Sequence, residues 1–310
     1  MQCVRLLKTT NANYIRSWRG FDWRSIPLNA GEILAESIYG PRRAWVFTSA
    51  TLSVAGDFGY FARRTGLQER QEHSWPSPFD YQEQCLLLVP ESMPEPASDG
   101  YAEAVAQVAA QAVSASQGRA FLLFTSHRMM RDVRQRLSAL IDFPMLVQGD
   151  APRTELLQRF RSLGDAVLLG TASFWEGVDV RGEALSCVLI DKLPFTPPDD
   201  PMLRARSRVM RKEGGEPFRE LQLPQAALSL RQGAGRLIRD ESDRGVLVIC
   251  DPRILGRSYG KIFLRSLPEM PLTRDMDDVR DFFSESTGTS VDSETGEGEP
   301  RTTARQAGAP

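Results

Sequence analysis

Short runs of uninterrupted apolar residues recur along the chain, and they constrain its fold more than any other feature. They are AWVFT (44–48), CLLLVP (85–90), AFLLFT (120–125), PMLVQG (144–149), AVLLGT (166–171), LSCVLID (185–191) and GVLVICD (245–251). A strand with one face in water alternates apolar and polar residues, whereas a run that is apolar throughout needs cover on both faces. Segments of helical period lie between the runs: Tyr101, Val105, Val108 and Ala112 share one helix face, and Met130, Val133, Leu137 and Leu140 another. Strand alternating with helix predicts an α/β fold, a doubly wound parallel sheet with helices on both faces. With 310 residues, 41% of them hydrophobic, the chain can bury a real core in one or two domains.

WPSPFDYQ (75–82), with two prolines in four residues, reads as a connector. It places a boundary near residue 78, between a smaller piece (1–77) and a main domain (78–283). From Ser284 to the end (284–310) large apolar side chains almost vanish and Ser, Thr, Gly and Glu dominate, so disorder is expected there. The net charge of -2 selects no partner, because a basic groove can sit on a neutral protein. No apolar run is long enough to cross a membrane, and MQCVRLLKTTNANY lacks the continuous apolar centre of a signal peptide. Cys3, Cys85, Cys187 and Cys250 have no metal-binding spacing, and the last two lie inside apolar runs. A soluble protein of the reducing cytoplasm is expected.

In a parallel α/β sheet ligands gather at the carboxyl ends of the strands. After AFLLF come Thr125, Ser126 and His127, where hydroxyls beside the free N–H groups of a helix start suit a phosphate, although helix capping alone would explain them. After AVLLG comes TASFWEGVDVRG (171–182). There Glu176 and Asp179 could order a ribose or a water and Gly177 would let backbone approach a phosphate; Phe174 and Trp175 could stack a base or fill the core. After LSCVLI comes the stiff loop DKLPFTPPDDP (191–201), whose Phe195 could act as a wedge. TSATLS (48–53) sets an unusual density of hydroxyls at an expected strand end. RARSRVMRK (204–212) could track a phosphate backbone or be a solvated helix face. His73 and His127 are too few and too far apart for a metal site, and no Ser, His and Asp arrangement suggests a hydrolytic triad. In LRQGAGRLIRD (230–240), a helical wheel brings Gln232, Arg236 and Arg239 within roughly 60° of one another, opposite Leu230, Ala234 and Leu237. Gly233 and Gly235 would let a ligand or chain come close. The pattern fits an anion clamp or an ordinary basic face.

Taken in order, VFTSATLS, FLLFTSH, LLGTASFWEGVDVRGEALSCVLIDKLPF and QGAGRLIRDESDRGVLVICDPR resemble the later motifs of superfamily 2 helicases. More narrowly they are similar to the DinG and YoaA branch, related to the XPD helicases, over residues 40 to 283. The resemblance implies a RecA-like second motor domain, preceded by the tail of the first. It makes QGAGRLIR motif VI, with Arg239 as arginine finger, Arg236 as a second γ-phosphate or coupling contact, and Gln232 and Gly235 beside the nucleotide. Glu176, Gly177 and Asp179 match motif V, which couples nucleotide to DNA. Thr48, Ser49, Ala50 and Thr51 match motif III, a coupling element. Thr125 and Ser126 match a strand-end motif that touches the DNA backbone, and Thr171, Phe174, Trp175 and Phe195 join them as expected contacts to single-stranded DNA.

Such a helicase binds ATP phosphates in a G-x-x-x-x-G-K-[ST] loop and Mg2+ through an acidic motif, both on the first motor domain. The sequence has no such loop: GRSYGKI (256–262) fails the spacing and the hydroxyl. CVLID (187–191) and LVICD (247–251) imitate an acidic strand end, but the resemblance assigns both to the second domain. DESD (240–243) follows a helix instead of a strand, and the cysteine quartet of an iron–sulfur cluster is missing. The chain is therefore expected to be the C-terminal part of a longer ATP-dependent helicase, 5′-to-3′ by analogy and inactive alone. Its expected partners are ATP and Mg2+, single-stranded DNA, the missing N-terminal half, and replication or repair proteins. Two other readings are a non-catalytic module that binds single strands or docks a partner, and an unrelated α/β phosphotransferase, which would need a phosphate loop of its own.

Overall fold

A computed structural model describes residues 11–17, 21–37, 39, 44–171, 174 and 184–285. Strands β1 (Asn11–Ser17) and β2 (Phe21–Pro27) form an antiparallel pair. Two short helices follow, α1 (Ala30–Ser37) and α2 (Gly59–Thr65). After α3 (Tyr81–Gln84) the chain enters the main sheet, built from β3 (Cys85–Leu88), β4 (Ala120–Phe124), β5 (Met145–Val147), β6 (Val167–Thr171), β7 (Cys187–Ile190), β8 (Gly245–Ile249) and β9 (Leu272–Thr273). Its order is β5-β6-β4-β7-β8-β3-β9, and every pairing is parallel. The remaining helices are α4 (Tyr101–Ala115), α5 (His127–Leu137), α6 (Arg153–Leu163), α7 (Pro201–Lys212), α8 (Leu223–Ala234), α9 (Arg253–Gly256), α10 (Gly260–Ser266) and α11 (Met276–Glu285). A π-helical turn, Phe218–Gln222, leads into α8. This is the expected α/β fold, a parallel sheet with helices on both faces.

The continuous apolar runs are explained by cover on both sides of the sheet. Along β4, Phe121 and Leu123 enter a core with Leu156 and Phe160 of α6, Leu230 of α8 and Phe263 of α10. Ala120, Leu122 and Phe124 enter the opposite core with Tyr101 and Val105 of α4, Met130 and Val133 of α5, and Val279 of α11. Each large apolar side chain so buried contributes about 1.5–3 kcal/mol. The turn from α4 into β4 needs glycine at Gly118: its φ is +76°, and an added Cβ would lie 1.8 Å from the Asp165 carbonyl oxygen.

Six of the seven expected strands form. AWVFT does not: residues 44–49 carry no strand, and Trp45, Val46 and Phe47 are exposed. A strand is held by ladder bonds to a neighbour, and among the described residues none pairs with this segment. Its aromatics instead pack on one another, Trp45 stacking on Phe47 at 6.3 Å with Tyr39 edge-on to both. Leu140 also departs from expectation. Helix α5 stops at Leu137, so Leu140 lies beyond it and stays exposed. The expected tail falls outside the described residues from 286 onward; Ser284 and Glu285 still belong to α11.

Candidate functional site

Among the described residues, the arginine turn and the Thr125–Ser126 pair lie at opposite ends of one parallel sheet. At the amino ends lies the arginine-rich turn. Helix α8 ends at Ala234 and does not run on through Arg239 as the wheel assumed. The chain tightens into turns, with the Arg236 N–H donating to the Gly233 carbonyl and Leu237 to Ala234. Asp243 then captures it, one carboxylate oxygen accepting from the N–H groups of Arg239 (2.8 Å) and Asp240 (2.9 Å). Two glycines in three residues make the helix weak here, and these bonds decide against it. The apolar half of the pattern holds, since Leu230, Ala234 and Leu237 are buried, while Gln232, Arg236 and Arg239 are half-buried and Gly235 is exposed. Leu237 packs so closely on Gly245, the first residue of β8, that an added Cβ would sit 2.5 Å from it.

Two further features stiffen this end. Gln84, buried at the entry to β3, donates through Nε2 to the carbonyls of Asp240, Glu241 and Asp243 at 2.8–3.2 Å. DESD is thus a braced turn, its backbone held by Gln84. On the same side a cavity of about 360 Å³ is lined by Thr48, Ser49, His73, Trp75 and, from α8, Arg231. Ser49 Oγ bonds Thr51 Oγ1 at 3.1 Å and accepts from the Thr51 N–H at the same distance. Burial lowers the Arg231 pKa, with Tyr81 acting in the opposite sense.

At the carboxyl ends, β4 leads to Thr125 and Ser126. Ser126 caps α5 by accepting from the Met129 N–H at 3.2 Å. The next strand in the sheet, β7, leads into Asp191, whose carboxylate is fully buried. It accepts from the Thr125 N–H (2.9 Å) and from the Thr125 hydroxyl (3.2 Å). Burial raises the Asp191 pKa to about 7, against the pull of Lys192 and these hydrogen bonds. Strand β8 ends near Asp251, also fully buried, which accepts from the Leu193 N–H at 2.8 Å and grips the Arg253 guanidinium at 2.6–3.2 Å. Arg253 in turn lies 5.9 Å above the Phe195 ring. Phe195 stacks on the exposed Phe218 at 5.7 Å, with Tyr259 and Phe263 edge-on.

Residues 109–270 match the family model of the helicase C-terminal domain. The chain belongs to that family. It is 49% identical over 258 residues to the ATP-dependent DNA helicase YoaA of Escherichia coli (strain K12), a match covering 83% of this chain and 41% of that protein. It is 41% identical over 286 residues to YoaA of Haemophilus influenzae (strain ATCC 51907 / DSM 11121 / KW20 / Rd), covering 91% and 45%. To the 3'-5' exonuclease DinG of Bacillus subtilis (strain 168) it is 37% identical over 252 residues, covering 78% and 27%. The chain thus spans less than half the length of these relatives, and its likeness is to the C-terminal part of a DinG- and YoaA-like helicase.

Within this helicase domain two expected DNA contacts are turned inward. Phe174 is 4% exposed, packed against Gly170 and beneath the Arg153 guanidinium, so it offers no face to a base. Thr171 is 6% exposed, and its hydroxyl and N–H both donate to Gln148 Oε1, at 2.9 and 2.6 Å. A hydroxyl proton committed inside the protein is not available to a phosphate. Trp175, Glu176, Gly177 and Asp179 lie outside the described residues. Sequence reasoning missed Asp191, Asp251 and Arg253 as organisers of the carboxyl-end loops; the signal was an Asp directly after each of two apolar runs. Among the described residues no cluster of His, Cys, Asp or Glu could hold a metal ion, and no helix is long and apolar enough to cross a membrane. Cys85, Cys187 and Cys250 are free and buried; burial pushes the first two thiols up to about 12.

Proposed function

We propose that this chain is the second motor domain of an ATP-dependent DNA helicase that moves 5′-to-3′ on single strands in the cytoplasm, with residues 1–77 the tail of the first motor domain and 78–283 the second. Arg239 is the arginine finger and Arg236 a second γ-phosphate contact, with Gln232 and Gly235 beside the nucleotide. Glu176, Gly177 and Asp179 bind the nucleotide, while Thr48, Ser49 and Thr51 couple it to movement. Thr125, Ser126 and Phe195, with Trp175, form part of the single-strand track. The observation that supports this reading is the separation of two groups of residues to opposite ends of the sheet. An arginine turn braced by Asp243 and Gln84 sits at one end, and a hydroxyl pair at a helix start sits at the other.

An arginine finger neutralises charge developing on the transferred phosphoryl group, an effect of roughly 10³–10⁵ in rate where GTPases use one. ATP phosphates and Mg2+ are held mainly by the first motor domain, so the chain alone does not turn over ATP. An N-terminal helicase half and proteins of replication or repair are the proposed partners. Arg239→Ala in the reconstituted longer helicase is expected to lower DNA-stimulated ATP hydrolysis by about a thousandfold. Hydrolysis near the wild-type rate would refute the finger assignment.

A further inference from the structure

Asp191 shares its carboxylate with a group on the proposed DNA track. Its Oδ1 takes the Thr125 N–H and its Oδ2 faces Thr125 Oγ1 at 3.2 Å, with no exposure to solvent. The direction of the second bond depends on one proton. An ionised carboxylate only accepts, so the Thr125 hydroxyl must spend its proton inward and turn lone pairs outward. A protonated carboxyl can donate to Thr125 Oγ1, which frees the threonine proton for an acceptor outside. A phosphodiester is an acceptor and carries charge, so it binds the second arrangement and is repelled by the first.

We propose that Asp191 is a positioning residue of the single-strand track, whose protonation selects whether Thr125 presents a donor or an acceptor to the DNA backbone. The proposal rests on the assignment of Thr125 and Ser126 to that track. The surroundings make the proton exchangeable near neutrality. Burial favours the neutral carboxyl, and the pull of Lys192 and of the hydrogen bonds offsets it only in part, leaving the group at about 7. Lys192 adjoins on its own loop, and Thr125 faces it from the end of β4. From α4, the Tyr101 hydroxyl donates to the Asp191 backbone carbonyl at 2.5 Å, and burial raises its own pKa. From β8 and α9, Cys250 is neutral because burial raises its pKa, while Asp251 and Arg253 neutralise each other. His127 is exposed on α5, two residues beyond Thr125.

The test is binding of a labelled oligothymidylate by the full chain, read by fluorescence anisotropy at constant ionic strength across the neutral range. The wild type is expected to weaken about tenfold as pH rises from about 6 to about 8, the loss of one hydrogen bond to a charged group. Asp191→Asn keeps an oxygen for the Thr125 N–H and supplies a permanent donor to Oγ1. It should bind as tightly as the acidic wild type and show no pH dependence. Thr125→Val should bind weakly and equally at each pH, and His127→Gln should retain the wild-type profile. If Asp191→Asn keeps the wild-type pH dependence, or if His127→Gln abolishes it, the proposal is overturned. If Thr125→Val binds as the wild type throughout, Thr125 does not touch DNA, and it is the track assignment that fails. If Asp191→Asn does not fold, a Thr125→Val profile that still follows pH overturns the proposal by itself.

Discussion

Asp251 gives the most direct test of how the carboxyl-end loops are held. Its carboxylate is fully buried and receives four kinds of donor: the Leu193 N–H, the Arg253 N–H, and Nε and a terminal nitrogen of the Arg253 guanidinium. Asp251→Ala removes the acceptor of all of them. Deleting one partner of a buried ion pair costs about 3–5 kcal/mol, and an unsatisfied buried N–H adds about 1–3 kcal/mol. The Arg253 side chain is 25% exposed and can turn partly to water, which returns some of the first amount. A net loss of about 3–5 kcal/mol follows, a large share of the roughly 5–15 kcal/mol that holds an ordinary domain folded. Urea unfolding followed by circular dichroism should show the midpoint falling by about 1–3 M at unchanged slope. Asp251→Asn keeps one acceptor and should lose about half as much. A midpoint shift for Asp251→Ala worth less than about 1 kcal/mol would refute the clamp. Leu193 lies two residues before Phe195, so the same variant should also weaken binding of single-stranded DNA.

Three other outcomes are expected. Ser126→Ala removes the side-chain cap on Met129 and should cost about 1 kcal/mol of stability in denaturant unfolding, together with weaker oligonucleotide binding; unchanged affinity would leave Ser126 a cap alone. Gly118→Ala should prevent folding or cost more than about 3 kcal/mol, because both its positive φ and the Asp165 carbonyl oppose a Cβ, whereas Gly164→Ala, with the same sign of φ and open space around it, should cost only about 1 kcal/mol; equal costs would refute the steric argument. Asp191 has a raised pKa in the folded chain, so its contribution to stability is complete below the ordinary aspartate value and is lost as pH rises through about 7. The wild type should therefore lose stability relative to Asp191→Asn by up to about 4 kcal/mol between acidic and mildly basic solution, and a constant difference in unfolding free energy would contradict the buried ionisation.

Much of this architecture was legible because a strand buried on both faces leaves a local trace, an unbroken apolar run. AWVFT leaves the same trace and forms no strand, since pairing depends on a neighbour that no local pattern reveals. Within the arginine stretch, the buried side could be read from Leu230, Ala234 and Leu237. Its end at Ala234 could not, because the Asp243 carboxylate that captures the chain lies beyond the stretch. The rule that ligands collect at carboxyl ends placed Thr125 and Ser126 but not the arginine turn, which precedes β8. Thr171 and Phe174 show a further limit: whether a hydroxyl or a ring faces water depends on Gln148 and Gly170, which only folding brings near. Asp191 and Asp251 resemble metal-binding strand ends in sequence, because a carboxylate serving backbone N–H groups is written with the same letter as one serving magnesium.

The arginine turn and the Ser126 cap are separated by the length of the central strands. At about 3.3 Å per residue, four or five residues make a beam on the order of 15 Å long. Side chains interdigitate on both sides of that beam at the density of an organic crystal, so it resists shear and compression. If Arg236 and Arg239 act as proposed, a push received there would reappear at Ser126 as a tilt of the whole slab. The stroke delivered to a DNA strand would then be a matter of lever arm and angle, fixed by strand length and by where the hinge lies.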